Sequence, residues 1–447
     1  MLFLFIKCFL KDLCNMFATF GFYKTTYIHC SFSMGDSNIL KHTHESLGAV
    51  IIGGDFASLE VARNLDKYGV MVCSLGSATS VARFSRSVGR FVKLPSGLKD
   101  EELLDFLEAM AEKCRIRGWV LFPFSDEHLR IVTQHSARLA EYFVLTTPPW
   151  ETIKYFYDKR LTYTLAQEVG IPMPHSCVPG NIDQLASLDV EFPVVLKPAI
   201  TSHFTQTSNR KAYRADDRHE LQKFYGVMSQ VIPSSEVIVQ DFLPEPSKNL
   251  FSFAGYYRKG ELIVGLSVKR TRQFPMDFGR QSSFVETVEL PELRELASQL
   301  LQAIHYTGLA EIEFMWNVKR ARFELLEVNA RLWAWHGLAA AAGLDIPYVA
   351  FAETLGLNSP IGTVRQGTKW VRPWTDMRAA AQEILSGTLS IRQYLISLRG
   401  KTVFSLFSLS DPIPFIAEPL LLLLNRLKRW TSKLFRSRYL KRFTSRR

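Results

Sequence analysis

Carboxylates occur in both arms of a stretch in which two apolar, β-prone runs, Ala310 to Trp316 and Arg322 to Val328, flank a short polar turn. This pattern predicts an antiparallel hairpin. Because strand side chains alternate between faces, Glu313 can face Glu327, and Asn329 shares the face of Glu327. That pairing requires an odd number of residues in the connection. Two carboxylates and an amide oxygen are hard ligands that suit Mg²⁺. The alternative is a half-exposed hairpin with its charges in water.

Cations precede and follow this hairpin along the chain. Lys159 falls in a predicted helix, Lys197 and Arg270 each follow a predicted strand, and Arg331 follows the second arm. An arginine can fork onto a phosphate or a substrate carboxylate, and separated lysines can hold phosphates that Mg²⁺ bridges to acids. Each residue taken alone also fits an ordinary solvated charge. Their order along the chain favours a nucleotide site.

The first elements that could position these groups form a strand and helix pattern. An apolar strand at Leu47 to Gly53 runs into a glycine turn, a helix at Ala57 to Tyr68 follows, and a second strand covers Val70 to Leu75. This order predicts a parallel, doubly wound α/β domain over residues 47–147. The turn, Gly53-Gly54-Asp55, permits close approach to a ligand, but it is not the GxGxxG motif of dinucleotide-binding folds.

Polar residues follow the third predicted strand, Gly118 to Pro123. Ser125, Asp126 and Glu127 would lie at the carboxyl end of the sheet, where open α/β sheets hold ligands. Asp126 is equally a candidate N-cap for the helix predicted at His128 to Glu141. Both interpretations stay open at this point.

A second domain is predicted over residues 148–356, after Pro148 and Pro149. We expect a helix that carries Lys159, a strand ending before Lys197, a polar loop, another strand, a hairpin, and a helix that leads to the acidic hairpin. The predicted bounds are Glu151 to Val169, Phe192 to Leu196, Thr201 to Arg210, Glu236 to Val239, Phe251 to Tyr257 with Glu261 to Val268, and Glu292 to His305.

The net charge of +11 is concentrated at one end of the chain. Residues 425–447 contain ten Lys or Arg and no acid, which leaves a net charge of +1 for the rest. Apolar residues from Leu420 to Leu434 repeat at helical spacing, so this basic amphipathic stretch could lie on an anionic membrane surface. A partner-docking helix or a solvated tail is the alternative. Nucleic acid is not expected as a partner, because the preceding domains are nearly neutral.

The overall composition indicates a folded protein. With 447 residues, 47% of them hydrophobic and 22% charged, the chain can hold two or three domains. Six cysteines without metal-binding spacing favour free thiols in a reducing, cytoplasmic setting, with peripheral contact at the inner membrane face as a further expectation. Residues 1–46 form an N-terminal extension whose apolar start resembles neither a secretory signal nor a membrane span. We expect translation to begin at Met34, with an interfacial anchor as the alternative.

Four segments in order make the chain resemble the ATP-grasp superfamily over about residues 47–356. They are YDKRLTYTLAQEVGIPMP, FPVVLKPA, VIVQDFLP, and EIEF followed by LEVNAR. Within that superfamily, KRTRQFP with Gly279, and RLWAWHG followed by AAGLDIP, resemble the carboxylate-amine ligase group that includes D-aspartate ligases. Biotin carboxylase and the carbamoyl phosphate synthase large subunit are more distant. The resemblance implies a pre-ATP-grasp doubly wound α/β domain, then a two-lobed α+β ATP-grasp domain, with residues 357–447 as a separate C-terminal region.

The resemblance also implies a role for individual residues. They would bind ATP and Mg²⁺, for which Mn²⁺ could substitute, and would stabilise the transferring phosphate. The residues are Lys159 and Lys197 for ATP phosphates, Gln240, Asp241, Phe242 and Leu243 for adenine through main-chain groups, Glu313, Glu327 and Asn329 for Mg²⁺, and Arg270 and Arg331 for the transferred phosphate or the acyl phosphate. Where several relatives have a glycine-rich phosphate lid, this chain has the hydroxyl-rich loop Thr201 to Asn209, whose hydroxyls and amides can still donate to phosphate.

The function implied by the resemblance is that of an ATP-dependent, ADP-forming ligase. A substrate carboxylate would attack the γ-phosphate to give an acyl phosphate, and an amine or similar nucleophile would then displace phosphate. The expected partners are therefore small-molecule carboxylates and amines. One alternative is another chemistry of the same superfamily, carboxylation or carbamoyl phosphate synthesis. An alternative of another class is an ATP-binding, membrane-associated scaffold without turnover.

Overall fold

The computed structural model describes residues 47–208, 210–275 and 281–423, which form three β-sheets with helices packed on them. The expected translation start, the N-terminal extension and the basic stretch 425–447 with its predicted membrane contact lie outside these residues. No helix in the described part of the chain combines the length and the hydropathy that a membrane-spanning segment requires.

The N-terminal sheet has five parallel strands in the order β3-β2-β1-β4-β5. The strands are β1 (Gly48–Ile52), β2 (Met71–Gly76), β3 (Arg90–Lys93), β4 (Trp119–Pro123) and β5 (Phe143–Leu145), connected by α1 (Asp55–Asp66), α2 (Asp100–Cys114), α3 (Asp126–Gln134) and α4 (Ser136–Leu139). The predicted doubly wound α/β class is confirmed, and both edge strands, β3 and β5, were not predicted. The strand order reverses between β1 and β4, so their carboxyl ends border the crevice where such sheets bind ligands.

The turn between β1 and α1 requires glycine. Gly53 and Gly54 have φ angles of 84° and 88°, in the left-handed region that glycine adopts readily. A Cβ atom on Gly54 would lie 2.5 Å from the ring of Phe124, which follows β4. The predicted tight turn therefore packs directly against the end of β4, and α1 begins at Asp55, two residues earlier than predicted.

The second sheet is antiparallel, with the order β6-β9-β7-β8. Its strands are β6 (Ser176–Cys177), β7 (Val194–Pro198), β8 (Tyr213–Ala215) and β9 (Val237–Asp241), and the helices of this part are α5 (Trp150–Tyr157), α6 (Lys159–Glu168), α7 (Thr201–Thr205) and α8 (Arg218–Ser229). The predicted polar loop at Thr201 to Arg210 is wrong over its first five residues, which form α7.

The single helix predicted at Glu151 to Val169 is also wrong. Asp158 has extended backbone, with φ −106° and ψ 113°, and separates α5 from α6. Its carboxylate caps α6 by accepting a hydrogen bond from the Arg160 amide at 2.9 Å. The break makes Lys159 the first residue of α6 rather than a residue within a long helix.

The third sheet has seven strands in the order β14-β13-β10-β11-β12-β15-β16, all antiparallel except the last pair. The strands are β10 (Leu250–Arg258), β11 (Glu261–Phe274), β12 (Gln281–Thr287), β13 (Gly308–Asn317), β14 (Arg322–Asn329), β15 (Lys369–Val371) and β16 (Thr402–Phe404). The associated helices are α9 (Pro246–Asn249), α10 (Pro291–Gln302), α11 (His336–Ala342), α12 (Ile346–Thr354), α13 (Pro373–Leu385) and α14 (Ile391–Ser397).

The acidic hairpin is β13 and β14, and its connection differs from the prediction. Four residues, 318–321, lie between the paired residues Asn317 and Arg322, so the predicted odd number is wrong. A bulge at Leu326 adds one residue to β14 and brings Glu327 opposite Glu313. The predicted pairing of these two carboxylates is therefore observed, but the bulge and not the turn produces it.

The predicted boundary at residue 356 does not end the third sheet. β15 pairs with β12, and β16 pairs with β15. A buried ion pair of 2.9 Å between Arg272 of β11 and Asp376 holds α13 against this sheet. Farther along, Asp411 forms a 2.9 Å ion pair with Arg63 of α1, and Leu421 packs in the core shared with α1. Residues 357–423 are thus structurally continuous with the preceding parts, because they add two strands to the third sheet and bury Asp376, Asp411 and Leu421 against it and against α1.

Candidate active site

A cavity of about 790 Å³ lies where the three sheets meet, and every residue that the sequence singled out for the site lines it. The third sheet contributes the acidic wall, the second sheet contributes Lys197 and the segment after β9, and the N-terminal sheet contributes the turn at Gly54 and Ser125. Strand ends from all three sheets and the starts of several helices, among them Lys159 of α6, therefore converge on one space. The roles of the individual residues stay predictions.

The acidic wall is held by one arginine and one amide. Arg270 of β11 forms an ion pair of 2.5 Å with Glu313, and both side chains are largely buried. The Asn329 amide nitrogen donates to Glu313 at 3.0 Å. Since β11, β10, β13 and β14 are neighbours in the sheet, Arg270 reaches Glu313 across β10. The geometry places a cation, a carboxylate and an amide on one face.

The other carboxylate of the pair contacts a lysine from a different part of the wall. Lys159, at the start of α6, lies 2.8 Å from the Glu327 carboxylate and donates to the Thr201 hydroxyl at 2.7 Å. Burial by itself would raise the pKa of Glu327, but the ammonium groups of Lys159, Lys211 and Lys197 outweigh it and lower that pKa to about 2. Glu327 is therefore an anion at neutral pH.

Lys197 extends from β7 into the same cavity with neutral partners. Its ammonium donates to the Gln240 side-chain oxygen at 2.8 Å and to the Tyr163 hydroxyl at 2.5 Å. Burial, assisted by the charge of Lys159, lowers the pKa of Lys197 to about 7. An anion bound beside Lys197 would stabilise the protonated form of this lysine. A phosphate in that position would then have a positively charged partner.

The segment predicted to contact adenine follows Lys197 around the cavity. Gln240 and Asp241 end β9, and Phe242 and Leu243 continue along the wall. The amides of Asp241 and Phe242 already donate to the carbonyls of His175 and Pro193, at 2.9 and 3.3 Å. Main-chain hydrogen bonds to an adenine would therefore have to come from other groups of this segment.

Arg331 connects the acidic wall to the N-terminal sheet. Its guanidinium contacts the Asp126 carboxylate at 2.6 and 3.3 Å and donates to the Asn329 side-chain oxygen at 3.1 Å. Asp126 is not the cap of α3, because the Ser125 hydroxyl accepts the capping hydrogen bond from the His128 amide. The helix-cap interpretation of Asp126 is therefore wrong, and its carboxylate is available for the arginine.

Glu311 is a cavity residue to which the sequence gave no role, although it shares the face of Glu313. Its carboxylate accepts hydrogen bonds from the Trp335 indole and the Ser252 hydroxyl, both at 3.1 Å, and from the Asn329 amide at 3.4 Å. Burial, together with the charge of Glu313, raises the pKa of Glu311 to about 7. The strand alternation that selected Glu313 was the signal for it, since residues two apart share a face.

The hydroxyl-rich segment lies beside this site. The Ser202 hydroxyl in α7 is 3.2 Å from the Tyr157 hydroxyl, which donates to Glu127 at 2.6 Å. His203 pairs with Glu236 at 2.9 Å. Thr201 is the residue of α7 that lines the cavity, through its contact with Lys159. Position 209 of the predicted loop lies outside the described residues.

The donor chemistry of the acidic wall fits Mg²⁺. The structure contains no ligand, and in the described part of the chain no three His, Cys, Asp or Glu side chains converge on one point. The predicted set does not need a third carboxylate, because Glu313 and Glu327 would be joined by the Asn329 amide oxygen and by water or phosphate. Both carboxylates contact cations, Glu313 with Arg270 and Glu327 with Lys159, so a metal ion would bind to acids that already have positively charged neighbours.

The chain is similar to known proteins over much of its length. Residues 281–360 match the family model described as the ATP-binding domain of the carbamoyl-phosphate synthase L chain. The D-aspartate ligase of Enterococcus faecium is 23% identical over 344 residues, which cover 73% of this chain and 80% of that protein.

Two solved structures have the same fold. Biotin carboxylase from Campylobacter jejuni gives a TM-score of 0.59 at 16% identity, covering 73% of this chain and 75% of its own. An L-amino acid ligase from Bacillus licheniformis gives a TM-score of 0.55 at 16% identity, covering 73% of this chain and 79% of its own. The predicted fold class is confirmed by these likenesses.

Proposed function

We propose that this chain, a member of the ATP-grasp superfamily, is an ATP-dependent, ADP-forming ligase that joins a carboxylate to an amine. The resemblance to that superfamily is confirmed by the family-model match and by the ligase relatives. One observation carries the proposal: Glu313 and Glu327 face each other on adjacent strands, and each contacts a buried cation from a different part of the cavity wall. Phosphoryl transfer requires such an arrangement of acids for a metal and cations for phosphate.

The lysines would hold the triphosphate. Lys159 and Lys197 enter the cavity from α6 and β7, and Lys197 has hydrogen-bond partners that are neutral. A phosphate beside Lys197 would raise its depressed pKa and keep it charged. The wall from Gln240 to Leu243 would contact the base.

The acidic wall would hold Mg²⁺ through Glu313, Glu327 and Asn329, and Mn²⁺ would substitute for it. When bound, the ion neutralises charge on the phosphates. Two arginines in the cavity contact these proposed metal ligands. Arg270 forms an ion pair with Glu313, and Arg331 donates a hydrogen bond to Asn329. They would stabilise the negative charge that spreads over the transferring phosphoryl group and then over the acyl phosphate.

The proposed reaction has two steps. A substrate carboxylate oxygen attacks the γ-phosphorus of ATP, the bond to the β-phosphate oxygen breaks, and ADP leaves. The amine then attacks the acyl carbon, phosphate leaves with the bonding electrons, and the amine loses a proton. Neither step needs a covalent bond to the enzyme, which agrees with a cavity whose polar groups bind and orient.

The substrates would enter from the end of the cavity at the N-terminal sheet. The N-terminal domain lines the cavity there with Gly54, Asp55, Ser125 and Asp126, the partner of Arg331. The Enterococcus relative is named for D-aspartate and the Bacillus relative for L-amino acids, so amino acids of both configurations are the first acids and amines to test.

The test measures ADP release from ATP and Mg²⁺ with pairs of amino acids, and repeats it with Mn²⁺. A ligase releases ADP only when an acid and an amine are both present, and forms a product that mass spectrometry detects. Binding of ATP without release across a broad panel would instead favour the scaffold interpretation. The predicted cytoplasmic location and the contact of residues 425–447 with a membrane stay predictions.

A further inference from the structure

The outer face of α14 carries aliphatic side chains that the fold leaves in solvent. Ile391, Leu395 and Ile396 are 64%, 59% and 46% exposed, and with Arg392 and Arg399 they line a surface groove of about 470 Å³. We call these five residues the α14 face. Ile391, Arg392, Leu395 and Ile396 recur at helical spacing, so they lie on one side of the helix, and Arg399 follows its end.

The opposite side of α14 is fixed to the protein. The Arg272 guanidinium donates to the Ser397 hydroxyl at 3.1 Å and lies 5.1 Å from the centre of the Tyr394 ring. Arg272 is itself held by Asp376 of α13. The α14 face is therefore presented outward by a rigid attachment, which distinguishes it from apolar residues on a loosely held segment.

The exposed charges of residues 357–423, the range that contains the α14 face, have one sign. Residues 357–423, all of which the structure describes, contain four acids, and all four are buried. They are Asp376, Glu383, Asp411 and Glu418. Three of them form ion pairs: Asp376 with Arg272, Asp411 with Arg63, and Glu418 with Arg372. The exposed charged side chains of this range are all cations, namely Arg365, Arg378, Arg392, Arg399 and Lys401.

The same combination continues to the end of the described chain. Leu420, Leu422 and Leu423 are 38%, 40% and 54% exposed. The sequence then continues with residues 424–447, which contain ten Lys or Arg and no acid. Exposed apolar side chains and exposed cations thus occur together within residues 357–423, and the sequence that follows is strongly basic.

We propose that the α14 face docks on an anionic lipid surface. Aliphatic side chains gain free energy when they enter the boundary between headgroups and acyl chains, and the flanking arginines match anionic headgroup phosphates. The phosphates of a nucleic acid could pair with the arginines, but they would make no apolar contact with the three aliphatic side chains. Binding of single strands also uses stacking on aromatic side chains, and the α14 face has none. An acidic protein would be a second partner of matching charge and is an outcome of the test. The inference does not depend on the proposed ligase activity.

The experiment measures co-sedimentation of the full chain with phosphatidylcholine vesicles, with and without phosphatidylglycerol. We expect binding only to the phosphatidylglycerol vesicles and weaker binding at high salt, because screening reduces the attraction of arginine for phosphate. The double variants Ile391→Ser/Leu395→Ser and Arg392→Glu/Arg399→Glu should each lower the affinity at least ~10-fold. Circular dichroism and ATP binding verify that these variants are folded.

Matched control variants change exposed residues outside the C-terminal region. Val318→Ser/Val227→Ser removes exposed aliphatic surface, and Lys223→Glu/Lys319→Glu reverses two exposed charges. Both should bind vesicles like the unaltered chain. The proposal is overturned by equal binding to neutral vesicles, by no binding at low salt, or by binding that the α14 variants leave unchanged. The proposal is also overturned if the chain does not bind vesicles and the α14 variants instead abolish self-association or binding to an acidic protein. Loss of ADP release with normal vesicle binding would concern the proposed function alone.

Discussion

Glu313 and Glu327 lie directly opposite each other on β13 and β14, and the bulge at Leu326 is the reason. With a four-residue connection and no bulge, the apolar Leu326 would face Glu313. The extra residue turns a second carboxylate toward the cavity, where Lys159 contacts it and helps to hold its pKa at about 2. A backbone irregularity thus produces the acidic pair on which the proposed chemistry depends.

Replacing Glu327 by Gln should abolish substrate-dependent ADP release, with turnover lowered at least ~10²-fold, because a neutral amide binds Mg²⁺ weakly and leaves Lys159 without its anion. Steady-state kinetics of ADP release at different Mg²⁺ concentrations measures both the turnover and its dependence on Mg²⁺. The matched control is Glu324→Gln, which removes a buried carboxylate of the same strand that contacts Asn317 and Arg320. That variant should lose stability and keep its Mg²⁺ dependence; equal kinetic loss in both would contradict a metal role for Glu327.

ATP binding should take up a proton near pH 8, because bound phosphate raises the pKa of Lys197 from about 7. Affinity should fall as the pH rises above 7. Titration calorimetry in buffers of different ionisation enthalpy measures the uptake, and Lys197→Met should remove it. The stability effect has the opposite sense. Between about pH 7 and the ordinary lysine pKa of 10.5, the unfolded chain binds more protons than the folded chain, so the contribution of Lys197 to stability rises with pH. Unchanged uptake in the variant would argue against this site.

Replacing Glu311 by Gln should weaken Mg²⁺ binding ~10-fold or more, in the range seen for groups that orient metal ligands. A Gln oxygen can still accept from Ser252 and Trp335, but its amide cannot accept from the Asn329 amide, so Asn329 loses one of its two fixed acceptors. Metal-free nucleotide binding should be unchanged, as measured by titration calorimetry with and without Mg²⁺. Equal weakening in both conditions would indicate a general structural effect instead.

Replacing Asp376 by Asn should lower the free energy of unfolding by about 3–5 kcal/mol, because it leaves Arg272 buried without a compensating charge. Denaturation in urea measures the change. The control is Glu191→Gln, whose partner Lys319 is as exposed as Glu191 itself, and it should unfold like the unaltered chain. A similar loss in the control would show that the measurement does not report on the buried pair.

Replacing Gly54 by Ala should destabilise the chain by more than the same change at Gly69. Both glycines have positive φ, 88° and 72°, so each alanine is strained by about 1 kcal/mol. Only at Gly54 would the new Cβ also meet a ring, at 2.5 Å from Phe124, whereas no atom lies within 4 Å at Gly69. Urea denaturation of both variants compares them directly, and equal losses would show that Phe124 moves aside freely.

The fold class could be predicted from the sequence alone, and so could a set of residues that line the cavity, although Glu311 was not among them. Several of these residues lie at the ends or on the faces of short helices and strands, whose positions can be predicted from the periodicity of apolar residues. Examples are Lys159, Lys197, Arg270 and Glu313. Their convergence on one cavity agrees with the resemblance that their order suggested.

How these elements meet became clear from the three-dimensional fold. The break at Asp158, the bulge at Leu326 and the joining of β15 and β16 to the third sheet depend on partners distant in the chain. The same holds for Asp126 as partner of Arg331. Periodicity reports which face of a segment is apolar, whereas register and pairing depend on the free energy of packing against another segment, and that free energy is not a property of either sequence alone.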